Sequence, residues 1–336
     1  MMDRLMRCAV KHRWGVPLGL ACLSVAGSPV VLAGAEPPPA MRQSCDQSPL
    51  RSIPARPRQA PTGSEFGRLV RDLSGPARDA LVRAELLAGN VPDFLRRLVP
   101  VPVKSSEAAR PVKITVCVLP DYLALGSDSD FVFVPLGLGA ALDVARRFGF
   151  DLPTPKLVDA IYEESLVKLQ PLPLPASAEM RSTAYFVYHS ELISRERAAR
   201  AAPLGELTAG DKKDLVLTSL LWQVPGRVAI YGWHRANDHP IQPLSIVHGA
   251  RYADYSHGVR LVSRAVYVDG VKRSLEEVLA EPSLARQLTR EGTLPHLNEH
   301  LEVLRAQWLA GTPTLPVVGT SGDAPSPAPL RELLRN

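Results

Sequence analysis

Four of the chain's eight histidines, His234, His239, His248 and His257, fall between residues 206 and 260. They are interleaved there with Asp211, Asp214, Asp238 and Asp254, and with Lys212, Lys213, Arg227, Arg235, Arg251 and Arg260. A hydrolase needs a group that takes and returns a proton, something that activates a nucleophile, and donors for developing negative charge. Histidine is the natural proton carrier near neutrality, and an aspartate can fix its tautomer. His257 is the preferred base, because Asp254 precedes it by three residues and Gly258 opens backbone space beside it. His234, just after a predicted strand, is the second candidate.

The nucleophile is less evident. Cys117 can supply a thiolate to a distant histidine, and Ser256 adjoins His257, but no G-x-S-x-G elbow exposes a serine above a sheet. A metal would bypass the problem by acidifying a bound water. Zinc would draw on His234, His248 and His257, with Asp254, although their spacing matches neither H-E-x-x-H nor a compact Cys/His pattern. Trp233, Tyr252 and Tyr255 can stack on a sugar ring, and Arg251, Arg260 and Lys213 can meet an anionic group. Asp121, Asp128 and Asp130 allow a glycosidase-like carboxylate pair, but acidic turns explain them more simply. Asp128-Ser129-Asp130 lacks the remaining positions of a calcium loop. Phosphate-loop, dinucleotide-fingerprint and zinc-finger patterns are missing from the chain.

The same letters have structural readings. A histidine in an aromatic loop can simply bond a carbonyl. Lys212 and Lys213 read best as the solvated first turn of a helix running toward Leu221, with Asp211 at its positive end.

The elements that must hold these residues are read from periodicity and punctuation. Short helices are expected from Ser64 to Val70, from Pro76 to Gly89-Asn90, and from Pro92 to Val99. Val112–Leu119 and Phe131–Val134 read as strands, and Gly139–Phe148 as a helix stopped by Gly149. Thr154-Pro155 starts another helix, since the hydroxyl can cap while proline fills the first turn. Thr183–His189, Arg227–Trp233 and Val259–Val268 read as strands, the last turning at Asp269-Gly270 into a hairpin. Ser190–Ala201 reads as a polar helix, and Ser274 with Glu277 has capping-box spacing. This order predicts an α+β or α/β fold, a mixed sheet with packed helices and an N-terminal helical subregion, occupying residues 64–310 as one domain.

Charge at first points elsewhere. The 336 residues carry 39 Lys+Arg against 34 Asp+Glu, a formal +5. Residues 1–35, with Arg4, Arg7, Lys11 and Arg13 against Asp3, hold +3 of it, leaving 35 basic and 33 acidic side chains in the remainder. A net +2 gives no reason to expect nucleic-acid binding. Those 35 residues read as an export signal: a basic start, an apolar run from Trp14, then Ala33-Gly34-Ala35 as a cleavage site. A secreted or periplasmic location follows, with membrane attachment only through an uncleaved signal segment. Processing would leave Cys45 and Cys117, able to form one disulfide in an oxidising compartment. Residues 36–63 are expected to form a flexible Pro-rich leader, and 311–336 a largely flexible tail.

The function that accounts for the export signal and the clustered His/Asp groups is a hydrolase acting on a cell-envelope or extracellular polymer. Its rivals are a non-enzymatic saccharide or cell-wall binding protein and a structural envelope protein.

Overall fold

A computed structural model describes residues 44–104 and 111–310. The proposed signal peptide and the tail beyond Ala310 lie outside the described residues. Two helices open the described chain, α1 (Gly63–Leu69) and α2 (Gly75–Leu87), followed by strands β1 (Val99–Val103) and β2 (Ile114–Val118) and the hairpin β3 (Ala124–Ser127) and β4 (Asp130–Phe133). Next come α3 (Leu138–Phe148), β5 (Phe150–Asp151), α4 (Pro155–Glu164), β6 (Val167–Lys168), α5 (Thr183–Ala199), β7 (Thr208–Ala209) and β8 (Lys213–Leu215). The remainder comprises α6 (Leu220–Gln223), β9 (Ile230–His234), β10 (Pro240–Ser245), β11 (His257–Gly258), β12 (Val262–Val268), β13 (Val271–Ser274), α7 (Leu275–Ala280), α8 (Pro282–Leu288) and α9 (Leu297–Ala310).

The strands form two principal sheets. One runs β1-β2-β12-β13, all antiparallel, with β5 also pairing β12; the other runs β10-β9-β8-β11, and there β11 joins β8 in parallel. β6 and β7 make a further parallel pair. This mixture of helices with parallel and antiparallel strands is an α+β fold. The core is aliphatic and aromatic: Val116 and Val118 of β2, Val262 and Val266 of β12, and Leu142 and Val144 of α3 are all at most 1% exposed. Burial of such side chains is the main favourable contribution to folding.

Local chemistry explains most boundaries. Thr154 caps α4 through Leu157 N, with Pro155 in its first turn. Ser274 and Glu277 form a complete capping box at α7. Gly149 ends α3 in the left-handed conformation, at φ 78°, which glycine adopts without steric cost. At α1 the capping box uses Thr62 and Glu65 instead of Ser64, whose backbone N–H and hydroxyl are taken by Asp130.

Three expectations are corrected. Thr183–His189 is the first part of α5, not a strand: Ser182 accepts a hydrogen bond from Tyr185 N, and Phe186, His189, Ser190, Ile193 and Arg197 bury one helical face. Its Thr, Tyr, Phe and Val content resembles a strand, but the cap and the three-to-four-residue spacing prevail. Lys212 and Lys213 do not begin a helix. Lys213 opens β8, and Lys212 is fully buried. The segment from Ser44 to Thr62, expected to be flexible leader, is fastened to the domain. Cys45 is disulfide-bonded to Cys117 of β2, Gln47 exchanges hydrogen bonds with Leu98, and Arg56 donates to Asn90.

Candidate active site

The site is built on the short parallel pairing of β8 with β11. His257 is in register with Lys213 and Gly258 with Asp214, and Lys213 N donates to Ser256 O at 2.8 Å. Paired residues project to the same side of a sheet, and successive residues alternate. Lys213 and His257 therefore share one side, while Asp214 projects to the other.

The loop leading into β11 is shaped by Asp254. Its Oδ1 accepts from the backbone N of Ser256 at 2.8 Å and from the Ser256 hydroxyl at 2.6 Å, a side-chain-to-backbone turn that aspartate favours. Its Oδ2 accepts from the Tyr252 hydroxyl at 3.1 Å and lies 3.8 Å from Nε2 of His257. That last distance is too long for a hydrogen bond. Neither ring nitrogen of His257 has a hydrogen-bond partner, although the residue is only 1% exposed. Burial pushes the imidazole down to about 4 against the opposing pull of Asp254, so it is neutral at physiological pH. Burial also works against ionisation of Asp254, yet His257, the Ser256 donors and Lys213 hold it below its ordinary value. Burial lowers Lys213, with Asp254 opposing, and its ammonium lies 4.9 Å from the ring centre of Trp233. Tyr252 stacks on His248 at 3.9 Å and lies under the Arg181 guanidinium at 5.4 Å.

Behind this loop lies a wholly buried charge network. Arg197 donates to Asp121 at 2.5 Å and to Thr208 Oγ1 at 3.2 Å. Tyr122 donates its hydroxyl to Asp214 at 2.9 Å, and Arg260 stacks on the Tyr122 ring at 4.2 Å while donating to the carbonyls of Thr208 and Leu119. Lys212 donates to Tyr255 O at 2.7 Å and meets His189 Nδ1 at 2.9 Å. Asp211 lies among these groups, its carboxylate accepting no hydrogen bond from another residue. Burial pushes Asp214 up to about 7 and Asp121 up to about 6 despite their cationic neighbours, and it lowers Lys212 to about 8. Three carboxylates face three cations here, which is how buried charge is normally tolerated.

His234 belongs to a different cluster. Its Nε2 is 3.0 Å from Asp159 Oδ1 on α4, which also accepts from the Tyr231 hydroxyl at 2.8 Å, and Arg290 pairs with the other carboxylate oxygen. The imidazole stacks on Tyr162 at 4.5 Å. Because β8 lies between β9 and β11, His234 and His257 are two strands apart, roughly 10 Å by ordinary strand spacing. The candidate zinc set is thus not assembled, and among the described residues no group of three or more His, Cys, Asp or Glu is arranged to hold a metal ion.

The remaining candidates are placed as follows. Cys117 is 2% exposed and its sulfur is bonded to Cys45, so no thiolate exists there. The Ser256 hydroxyl is committed to Asp254. Trp233 is 5% exposed and donates its indole N–H to Asp211 O; Tyr255 is 2% exposed and bonds the Leu174 backbone. Neither offers a free stacking face. Arg260 is internal, and Arg251 lines a surface hollow of about 370 Å³ with Leu138, Ala250, Leu304 and Trp308. A second hollow, about 410 Å³, lies between α5 and the β3–β4 hairpin. His257 lines neither hollow. Asp128 accepts from Phe94 N, and Asp130 caps α1, so these acids serve turns and ends.

His189 and Arg197 carried no signal that placed them beside the site, and Asp121 was legible only as an acid of a possible carboxylate pair. Lys212 left no usable trace, since the run Asp211-Lys212-Lys213-Asp214 has the look of a solvated charged turn. No family model, curated protein or solved structure matches the chain.

Proposed function

We propose that the protein is an exported hydrolase that cleaves a bond in a cell-envelope or extracellular polymer, with His257 as the base that activates water. The observation that carries this reading is the His257 imidazole itself: fully buried, neutral, beside an ionised carboxylate, and bonded through neither nitrogen. A histidine kept for packing ordinarily satisfies at least one ring nitrogen. Asp254 accepts hydrogen bonds only, so the ring proton belongs on Nε2, which faces it, and Nδ1 carries the lone pair. Nδ1 then takes a proton from water as the water attacks, Asp254 stabilises the imidazolium, and the proton passes on to the leaving group. Water is the nucleophile this arrangement favours, because Cys117 is in a disulfide and the Ser256 hydroxyl is engaged. The half-buried rim of Tyr252, His248 and Lys213 must part to admit substrate.

Stacking of saccharides on exposed aromatics receives less support, since Trp233 and Tyr255 are internal. The test is turnover of dye-linked polysaccharides, peptidoglycan and small ester and amide substrates by the purified protein. His257→Asn should lower kcat by roughly 10²–10⁴-fold, the usual contribution of a general base. Full turnover in folded His257→Asn protein would reject the assignment.

A further inference from the structure

We propose that the ligand of the His257 site presents a carboxylate, received by Lys213 together with Arg181, so that the substrate is an acidic polymer. This rests on the reading of the His257 loop as the site, and it adds a recognition chemistry to it. The argument begins with charge balance. In the buried network each cation has carboxylates around it. Lys213 and Arg181 form no ion pair within 4 Å with any described residue: the acid acting on Lys213 is Asp254 and the acid that feels Arg181 is Asp79, both beyond ion-pair distance. Both cations instead lie over aromatic rings, Lys213 over Trp233 and Arg181 over Tyr252.

Asp254 is the acid that acts on Lys213, and its acceptor capacity is spent locally. Two hydrogen bonds from Ser256 reach Oδ1, and the Tyr252 hydroxyl reaches Oδ2. With His257 neutral and the Asp254 oxygens engaged by Ser256 and Tyr252, the Lys213 ammonium has no acid in contact. Lys213 is half-buried, which makes an unpaired ammonium costly there and a ligand anion correspondingly favourable.

The two cations are also held in place by the scaffold. Lys213 is fixed on β8 in register with His257. Arg181 ends the short 3₁₀ turn Ala178–Arg181, whose Met180 O accepts from Tyr255 N at 3.0 Å, fastening it to the same loop. An arginine can receive a carboxylate through two parallel N–H groups while the lysine acts as a point charge. Completely buried His257, with its free nitrogens, is an independent sign that a ligand completes the arrangement.

Calorimetric titration of the full-length processed protein tests this with glucuronate and N-acetylalanine as carboxylate probes, from a sugar and a peptide respectively, against glucose and N-acetylalanine amide. One carboxylate probe should bind, with affinity falling as salt rises, while its neutral counterpart binds at least tenfold more weakly. Which of the two binds identifies the polymer class. Lys213→Met should weaken that binding at least tenfold and Lys213→Arg should largely restore it, with thermal melting confirming that each variant is folded. Arg181→Gln should weaken it by about three- to tenfold. Equal binding of charged and neutral probes, no binding of either acid, or unaltered affinity in folded Lys213→Met would overturn the proposal. Repeating the titration on His257→Asn separates the two readings. Anion binding by a protein that cleaves no polymer sinks the hydrolase and keeps the carboxylate site. Cleavage of a neutral polymer without anion binding does the reverse.

Discussion

His257 and Lys213 are in-register neighbours on two parallel strands, locked by the hydrogen bond from Lys213 N to Ser256 O. The pairing is only two residues long, yet it puts the candidate base and a desolvated ammonium on one side of a sheet whose other side is occupied by the Tyr122–Asp214–Arg260 stack. Groups placed on paired strands keep their spacing better than groups on free loops, and this supports a role for them as a unit.

The pH response follows from His257. Its value of about 4 lies below the 6.5 of an unfolded histidine, so the unfolded chain binds the extra proton between those limits. The contribution to stability is fully present above pH 6.5 and is lost as pH falls toward 4, on the order of 3 kcal/mol in all. Urea unfolding at pH 7 and pH 4.5 should show this loss, and His257→Gln should reduce it. The acid limb of kcat should fall in the same direction, since only the neutral ring accepts a proton.

His234 should behave differently. Its imidazole is already tied to Asp159 and stacked on Tyr162. His234→Asn is expected to cost about 1–3 kcal/mol in denaturant unfolding, as for a lost buried hydrogen bond, while leaving turnover within a few-fold of the parent. Loss of turnover as deep as in His257→Asn would move the active centre to β9.

Gly258 is constrained by what stands behind it. A Cβ there would come within 2.5 Å of Tyr122 Cδ1 and 2.8 Å of Lys212 Cβ, both internal. Gly258→Ala should therefore destabilise the fold by about 1–3 kcal/mol through overpacking. A melting temperature equal to the parent's would show that the network yields more easily than its burial implies.

Breaking the buried pair should be more damaging. Asp121→Asn or Arg197→Met leaves an uncompensated internal charge, at an expected cost of roughly 3–5 kcal/mol. The double variant should recover part of this loss, and a thermodynamic cycle measured in urea gives the coupling directly.

The Cys45–Cys117 bond spans 72 residues. Removing it with reductant, or in the Cys45→Ala/Cys117→Ala variant, should lower stability by ~4 kcal/mol through release of chain entropy in the unfolded state. An unchanged urea midpoint under reducing conditions would contradict that.

Much of the fold was legible where one or two residues decide a boundary. Thr154-Pro155, Ser274 with Glu277, Gly149 and the Asp269-Gly270 turn all act through local hydrogen bonds and permitted dihedrals, and all stand where expected. The disulfide was equally accessible, because only two cysteines follow residues 1–35. The strand-like heptamer Thr183–His189 at the start of α5 misled because its side-chain types describe a half-buried surface of either kind. The site was legible only within the stretch 252–258, where Asp254 and His257 are near neighbours. Its supports come from far away: Asp121 meets Arg197 across 76 positions and Tyr122 meets Asp214 across 92. No local pattern encodes such partners, and for this reason the sequence around Lys212 reads as a solvated turn.

The even balance of the internal charges has a historical consequence. Replacing any one of Asp121, Arg197, Asp214 or Arg260 strands its counterpart away from water, so a lineage carrying this fold can alter these positions only in concert. Substitutions there should arrive as correlated sets, with acid and base vanishing together in favour of apolar residues of similar volume, while the exposed arginines nearby drift one at a time.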